Sequence, residues 1–155
     1  LIDWAIHHTL KNEIIDVQKH DLYIKFKFKN INVLILIGDA RKTLPVAISQ
    51  DLFLPIHAIF QDPFSPKKNP TLWTIEWFKL LKSISHPEVL ISTYSSSVSI
   101  RKSMIEAGFI IESAKGFGKK RTMTKGSLKG KISDELNEEL QRSPIESLKD
   151  SQFCL

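Results

Sequence analysis

The chain has 155 residues, of which 42% are hydrophobic and 25% charged, with a formal net charge of +5. That composition excludes a disordered, collagenous or membrane-spanning chain and predicts one soluble globular domain with one core. A single cysteine, Cys154, excludes an intrachain disulfide and a cysteine-rich zinc site.

Ile2, Ala5, Ile6, Leu10, Ile14 and Val17 recur at helical spacing, which predicts a helix from Leu1 to about Lys19. His7 and His8 fall inside it, about 100° apart around the axis, so they cannot chelate one metal and no metal site is expected. From Leu22 to Phe28 apolar residues alternate with Tyr23, Lys25 and Lys27, the pattern of a half-exposed strand. Asn30 to Asn32 reads as a turn, and Val33 to Ile37 as a strand buried on both faces inside a parallel sheet. Gly38-Asp39-Ala40-Arg41 ends it, and a short helix is expected from about Leu44 to Ser49.

Ile56 to Phe60 is a further short strand running into Gln61-Asp62-Pro63-Phe64-Ser65-Pro66. Pro63, Pro66 and Pro70 stiffen this loop, because each fixes its own φ and restricts its predecessor. A helix with Trp73, Trp77 and Phe78 is expected over Thr71 to Ser83, a strand over Val89 to Thr93 and a helix over Ser97 to Ala107 closed by Gly108. Phe109 to Glu112 and Arg121 to Thr124 read as the last strands. Strands alternating with helices at this spacing predict βαβ units and a largely parallel sheet. Lys115, Lys119, Lys120, Arg121, Lys125, Lys129 and Lys131 form a basic run without an acid, followed by an acidic tail suited to a short helix or to disorder.

Two strand ends carry the candidate chemistry, Gly38-Asp39-Ala40 and Gln61-Asp62-Pro63-Phe64. In a parallel sheet both carboxylates project over one edge, where they accept hydrogen bonds from a ligand's amino groups. Each also has a purely local explanation, Asp39 as a helix N-cap and Asp62 as a turn former. An acid beside an aromatic on a loop this rigid suits the positioning of a reacting group. Phe64, Trp73 and Tyr94 are candidates to stack on an unpaired base, although aromatics at helical spacing also serve as core. Lys67, Lys68, Arg101, Lys102 and above all Lys119, Lys120 and Arg121 are candidates for phosphate contacts. His57 reads as a structural histidine.

Asp62-Pro63-Phe64-Ser65-Pro66-Lys67-Lys68-Asn69-Pro70 followed by Leu72-Trp73-Thr74 resembles the signature of the methyltransferase half of the MnmC tRNA wobble-uridine modification family and its stand-alone relatives. Leu90-Ile91-Ser92-Thr93-Tyr94-Ser95, Arg101 with Ala107-Gly108-Phe109, and Gly116-Phe117-Gly118-Lys119-Lys120-Arg121 match in the same order, and Gly38-Asp39 matches upstream. The resemblance covers about residues 22 to 126. It implies an α/β fold, a Rossmann-like class I methyltransferase sheet with a β-hairpin near its start. It also implies S-adenosylmethionine as cofactor, tRNA as partner and methylation of the aminomethyl group of 5-aminomethyl-(2-thio)uridine at the wobble position. By the same resemblance Asp39 with Ala40 takes the adenine amino group. Asp62 with Pro63 stands by the transferring methyl, with Asp62 catalytic.

One departure is large. Gly38 is the only glycine in the first 107 residues, so the family's glycine-rich loop and the acid after its second strand have no counterpart. The expectation is therefore a sheet lacking its first two strands, with residues 1–126 the C-terminal portion of the domain and 127–155 a tail. The start at Leu1 rather than Met points the same way, to a piece of a longer chain whose partners include the missing N-terminal part or a fused oxidoreductase domain. No apolar run approaches the roughly 20 residues that span a bilayer and no signal-peptide order opens the chain, so a cytoplasmic protein without a membrane partner is expected. Two other readings remain open here: another amino-directed nucleic-acid methyltransferase, and a non-catalytic fragment that binds RNA or a partner chain.

Overall fold

In the computed structural model, which describes residues 13–116 and 122–153, the chain divides into two compact units, 1–54 and 55–155. The first holds a three-stranded antiparallel sheet, β1 (Ile14–Lys19), β2 (Tyr23–Phe28) and β3 (Ile31–Leu36), followed by α1 (Ala40–Ser49). The expected N-terminal helix fails where it can be checked. Ile14, Ile15 and Val17 are β-branched and suit a pleated surface, and β2 offers them a partner strand. The remainder of that expectation, with His7 and His8, lies outside the described residues. A one-residue bulge interrupts β1, with Asp16 at φ 57° and its carboxylate 3.1 Å from Lys27 Nζ.

The strand at 33–37 also departs from expectation. It pairs antiparallel with β2 and is only half-buried, because the two residues that separate them permit a tight reversal and no crossover. Among the described residues only Ile24 and Ala47 are buried apolar groups of this unit. Helix α1 starts four residues before the expected Leu44, with Asp39 capping its first turn, and contains Pro45.

The second unit is built on a four-stranded mixed sheet in the order β4 (Ile56–Phe60), β5 (Ser85–Thr93), β7 (Thr122–Ser127), β6 (Ile110–Lys115). Only β4 and β5 are parallel; β7 runs antiparallel between β5 and β6, which corrects the expectation of a largely parallel sheet. The reason is the short connection from β6 back along β7, too brief for a crossover helix. The β4–β5 register jumps between Ile56 and Ala58, opposite a stretch holding Pro87, which has no N–H to give the ladder.

Helices α2 (Ile75–Ser83) and α3 (Val98–Glu106) bury Trp77, Phe78, Leu81, Ile100 and Met104 over one face of this sheet, against Val89, Ile91 and Ile111. The opposite face is open, with Phe60 88% and Leu90 66% exposed. Gly126 is where β7 passes beneath α3; a Cβ there would stand 2.9 Å from Ile91 Cγ2 and 3.2 Å from Met104 Cε. Gly126→Ala is thus expected to destabilise the chain by about 1–3 kcal/mol, the usual penalty of overpacking, measured as a lower urea midpoint at unchanged slope.

The acidic tail contains a helix. Helix α4 (Asp134–Arg142) has Ser133 as N-cap, Asp134 and Glu135 in its first turn, Arg142 in its last, and Leu136 and Leu140 buried. Beyond it the backbone is tied to the helices. Ile75 N–H donates to the Leu148 carbonyl at 2.9 Å, Leu148 N–H to Ser103 Oγ at 2.9 Å, and Lys102 Nζ to the Ser143 carbonyl at 2.9 Å. No helix among the described residues is long and apolar enough to cross a membrane.

Candidate active site

Because β4 and β5 are parallel, with Phe60 level with Ser92, the residues that follow them leave the same edge of the sheet. Asp62 and Tyr94 therefore emerge side by side in the topology, at the carboxyl edge where ligands bind in α/β folds. Gln61 extends the ladder by one residue, its N–H donating to the Ser92 carbonyl at 2.8 Å, and there the strand ends. Pro63 follows half-buried.

The loop after Asp62 is held at several points. Trp73 Nε1 donates to the Phe64 carbonyl at 2.8 Å, Gln61 Nε2 to the Leu72 carbonyl at 2.7 Å, and the Lys68 and Asn69 N–H groups to the Ser65 carbonyl at 2.8 and 2.9 Å. A 3-10 turn over Pro70–Trp73 leads into α2, whose N-cap Thr74 accepts from Trp77 N–H at 3.3 Å. The Asp62 carboxylate is exposed and makes no hydrogen bond or ion pair among the described residues. Phe64 is 74% and Tyr94 44% exposed. Lys67 and Lys68 are exposed as well.

Trp73 is different. It is 2% exposed, with its ring tilted on Phe78 at 6.5 Å, so it has no face to offer a base and belongs to the core. Arg101 and Lys102 also leave the list of phosphate contacts. Arg101 is 3% exposed, with Nε donating to Thr124 Oγ1 at 3.0 Å and Nη2 to Ser113 Oγ at 3.2 Å. Burial pulls its pKa below the usual arginine range, opposed by the charge of Glu139. Thr124 Oγ1 in turn donates to the Ser95 carbonyl at 2.7 Å, so the arginine fixes the turn after Tyr94 from behind. Lys102 is engaged with the tail at Ser143. His57 is exposed and stacked on His86 at 4.1 Å, not buried as its strand position suggested.

Asp39 belongs to the first unit and follows a strand of the other sheet, which overturns the expectation that both carboxylates end strands of one parallel sheet. It is the N-cap of α1, its Oδ1 accepting from Arg41 N–H at 3.0 Å, with Ala40 as the first helical residue. Gly38 precedes it at φ 121°, a conformation open to glycine and strained for other residues, which is why the chain can turn from β3 into the cap there. Lys119, Lys120 and Arg121 lie outside the described residues. Of their neighbours in the basic run, Lys125 and Lys131 are exposed and Lys129 pairs with Glu88 at 3.2 Å, which holds the Glu88 carboxyl below the usual range.

A cavity of about 520 Å³ lies on the open sheet face, lined by Ala58, Phe60, Leu90, Ile110, Lys125 and Lys129 among others; Asp62, Phe64 and Tyr94 are not part of it. The described residues include no group of three or more His, Cys, Asp and Glu able to hold a metal ion. Gln61 and Thr124 were missed by sequence reasoning; a polar residue closing an apolar strand was the available signal for Gln61, and Thr124 had none.

A family model described as S-adenosyl-L-methionine-dependent methyltransferase matches residues 4–129. The chain is 35% identical over 118 residues to the tRNA 5-methylaminomethyl-2-thiouridine biosynthesis bifunctional protein MnmC of Pseudomonas putida, covering 75% of this chain and 17% of that protein. It is 32% identical over 124 residues to protein MJ0670 of Methanocaldococcus jannaschii, covering 79% of this chain and 33% of that one. Among solved structures, that of MNMC2 from Aquifex aeolicus superposes with a TM-score of 0.67 at 34% identity, over 81% of this chain and 41% of that chain. The chain thus spans a minor part of the length of these relatives.

Proposed function

The chain belongs to the S-adenosyl-L-methionine-dependent methyltransferase family that its residues 4–129 match, and from that membership we propose that it forms part of an enzyme methylating the aminomethyl group of 5-aminomethyl-(2-thio)uridine at the tRNA wobble position. The observation that carries this reading is the exposed Asp62 carboxylate, without a partner among the described residues, on a proline-stiffened loop at the carboxyl edge of the sheet, with Phe64 beside it. The names of the MnmC relatives accord with it, and their description as bifunctional accords with a further fused domain.

When bound, S-adenosylmethionine supplies an electrophilic methyl group. The amine that receives it must be neutral, oriented, and relieved of a proton afterwards. Asp62 accepts an N–H of that amine, which turns the lone pair outward, and its negative charge stabilises the ammonium as it develops. Phe64 and Tyr94 offer ring faces to the uracil, and Lys67, Lys68, Lys119, Lys120 and Arg121 neutralise phosphates. Pro63 keeps the backbone beside Asp62 rigid on the cofactor side.

The residues present fit a part of the cofactor. An acceptor-only carboxylate with an oxygen to spare is what an amino group requires, and Asp39 has one oxygen beyond its cap bond; Asp39 and Ala40 are proposed for the adenine. The glycine-rich loop is not among these residues. We accordingly read residues 1–126 as the C-terminal portion of a Rossmann-like domain without its first two strands, and 127–155 as its tail. The free edge of β4 among the described residues and the bare face at Phe60 and Leu90 support this. A tRNA substrate also favours a cytoplasmic location.

The test is methyl transfer by the full-length protein to tRNA carrying 5-aminomethyluridine at the wobble position. One methyl per tRNA on that nitrogen is expected. Methylation of adenine or cytosine instead, or tRNA binding without transfer, would overturn the proposal.

A further inference from the structure

Among the described residues, the loop that carries Asp62 has no hydrogen bond of its own at residues 62 and 63. Asp62 makes none with its side chain among the described residues, and Pro63 has no N–H to donate. What holds this stretch is therefore at its two flanks. On one side stands Gln61, 7% exposed, with its backbone bonded to Ser92 of β5 at 2.8 Å and its side-chain amide bonded to the Leu72 carbonyl at 2.7 Å. On the other side, the Phe64 carbonyl accepts the indole N–H of Trp73 at 2.8 Å, and that indole is locked into the core. Both bonds end on consecutive residues, Leu72 and Trp73, of the 3-10 turn that opens α2.

We infer that Gln61 and Trp73 are positioning residues that fasten the Asp62-Pro63-Phe64 loop to the Leu72–Trp73 turn from both sides and so set where the Asp62 carboxylate stands. This inference rests on the role proposed for Asp62 above. It replaces base stacking as the function of Trp73. Both bonds are only part-buried, so a carbonyl that loses its donor is re-solvated as the loop shifts. A loop that relaxes by an ångström moves the carboxylate out of line with the amine, a displacement that costs about 100-fold in rate.

The experiment is a kinetic double-mutant cycle in the full-length protein. Gln61→Met keeps the length of the side chain and removes the amide donor; Trp73→Phe keeps an aromatic ring and removes the N–H. Each is expected to lower kcat by about 10- to 100-fold while leaving the KM for tRNA within about threefold, since the loss concerns alignment and not binding. In the Asp62→Asn background each is expected to cost less than about threefold more, because there is no longer a carboxylate to position. Losses that multiply in that background would assign both residues to general packing and overturn the inference. So would a raised KM for tRNA with unchanged kcat in Trp73→Phe, the mark of a base-stacking residue. If Trp73→Phe does not fold, Gln61→Met decides the question alone. Near-normal turnover of Asp62→Asn by itself would instead remove the reading on which the inference stands.

Discussion

Asp62→Asn in the full-length protein is expected to lower the methylation rate by about two to three powers of ten with tRNA affinity near wild type. The substitution keeps the size of the side chain and one acceptor oxygen and removes the charge. Asp62 is exposed and bonds to no other described residue, so the fold loses nothing with that charge. On the role proposed for Asp62, what is lost is the stabilisation of a cation that exists only as the methyl arrives, which places the effect in kcat. Single-turnover kinetics against a separate tRNA binding curve provide the check. A variant with near-normal turnover would leave Asp62 as a turn former and nothing more.

Phe78→Ala is expected to cost about 3–5 kcal/mol of stability, the range for an aromatic removed from a close-packed core. Phe78 is completely buried and is the meeting point of the second unit's core, edge-on to Phe109 at 6.4 Å and tilted against Trp73 at 6.5 Å. Its removal leaves a cavity between α2 and its neighbours Trp73 and Phe109, which close-packed surroundings fill only in part. Since the usual stability of a domain is about 5–15 kcal/mol, the variant should be largely unfolded at moderate urea where the parent is native. The exposed Ile145→Ala, measured alongside, should shift the midpoint little. A loss below about 1 kcal/mol for Phe78→Ala would mean that α2 is not held by this contact.

The sequence by itself determined the elements whose neighbours lie close in the chain or whose pattern is strong. The run from Ile56 to Phe60 is a strand, the aromatic segment ending at Ser83 is a helix, Gly108 closes α3, and the proline loop follows β4 as its spacing required. The family was legible for the same reason, since Asp62 to Pro70 is a contiguous stretch. Pairing was not legible. Whether β7 inserts between β5 and β6 depends on which free edge another strand reaches, and an apolar run such as Val33 to Leu36 reads alike in a parallel and an antiparallel sheet. The roles of polar and aromatic side chains were hidden for a related reason. Trp73 and Arg101 carry the groups that bind bases and phosphates, yet the packing of α2 and α3 on the sheet buries both and turns their N–H groups to Phe64, Ser113 and Thr124. Residue type limits what a side chain can donate; the tertiary structure alone decides whether water, a ligand or the protein's own backbone receives it.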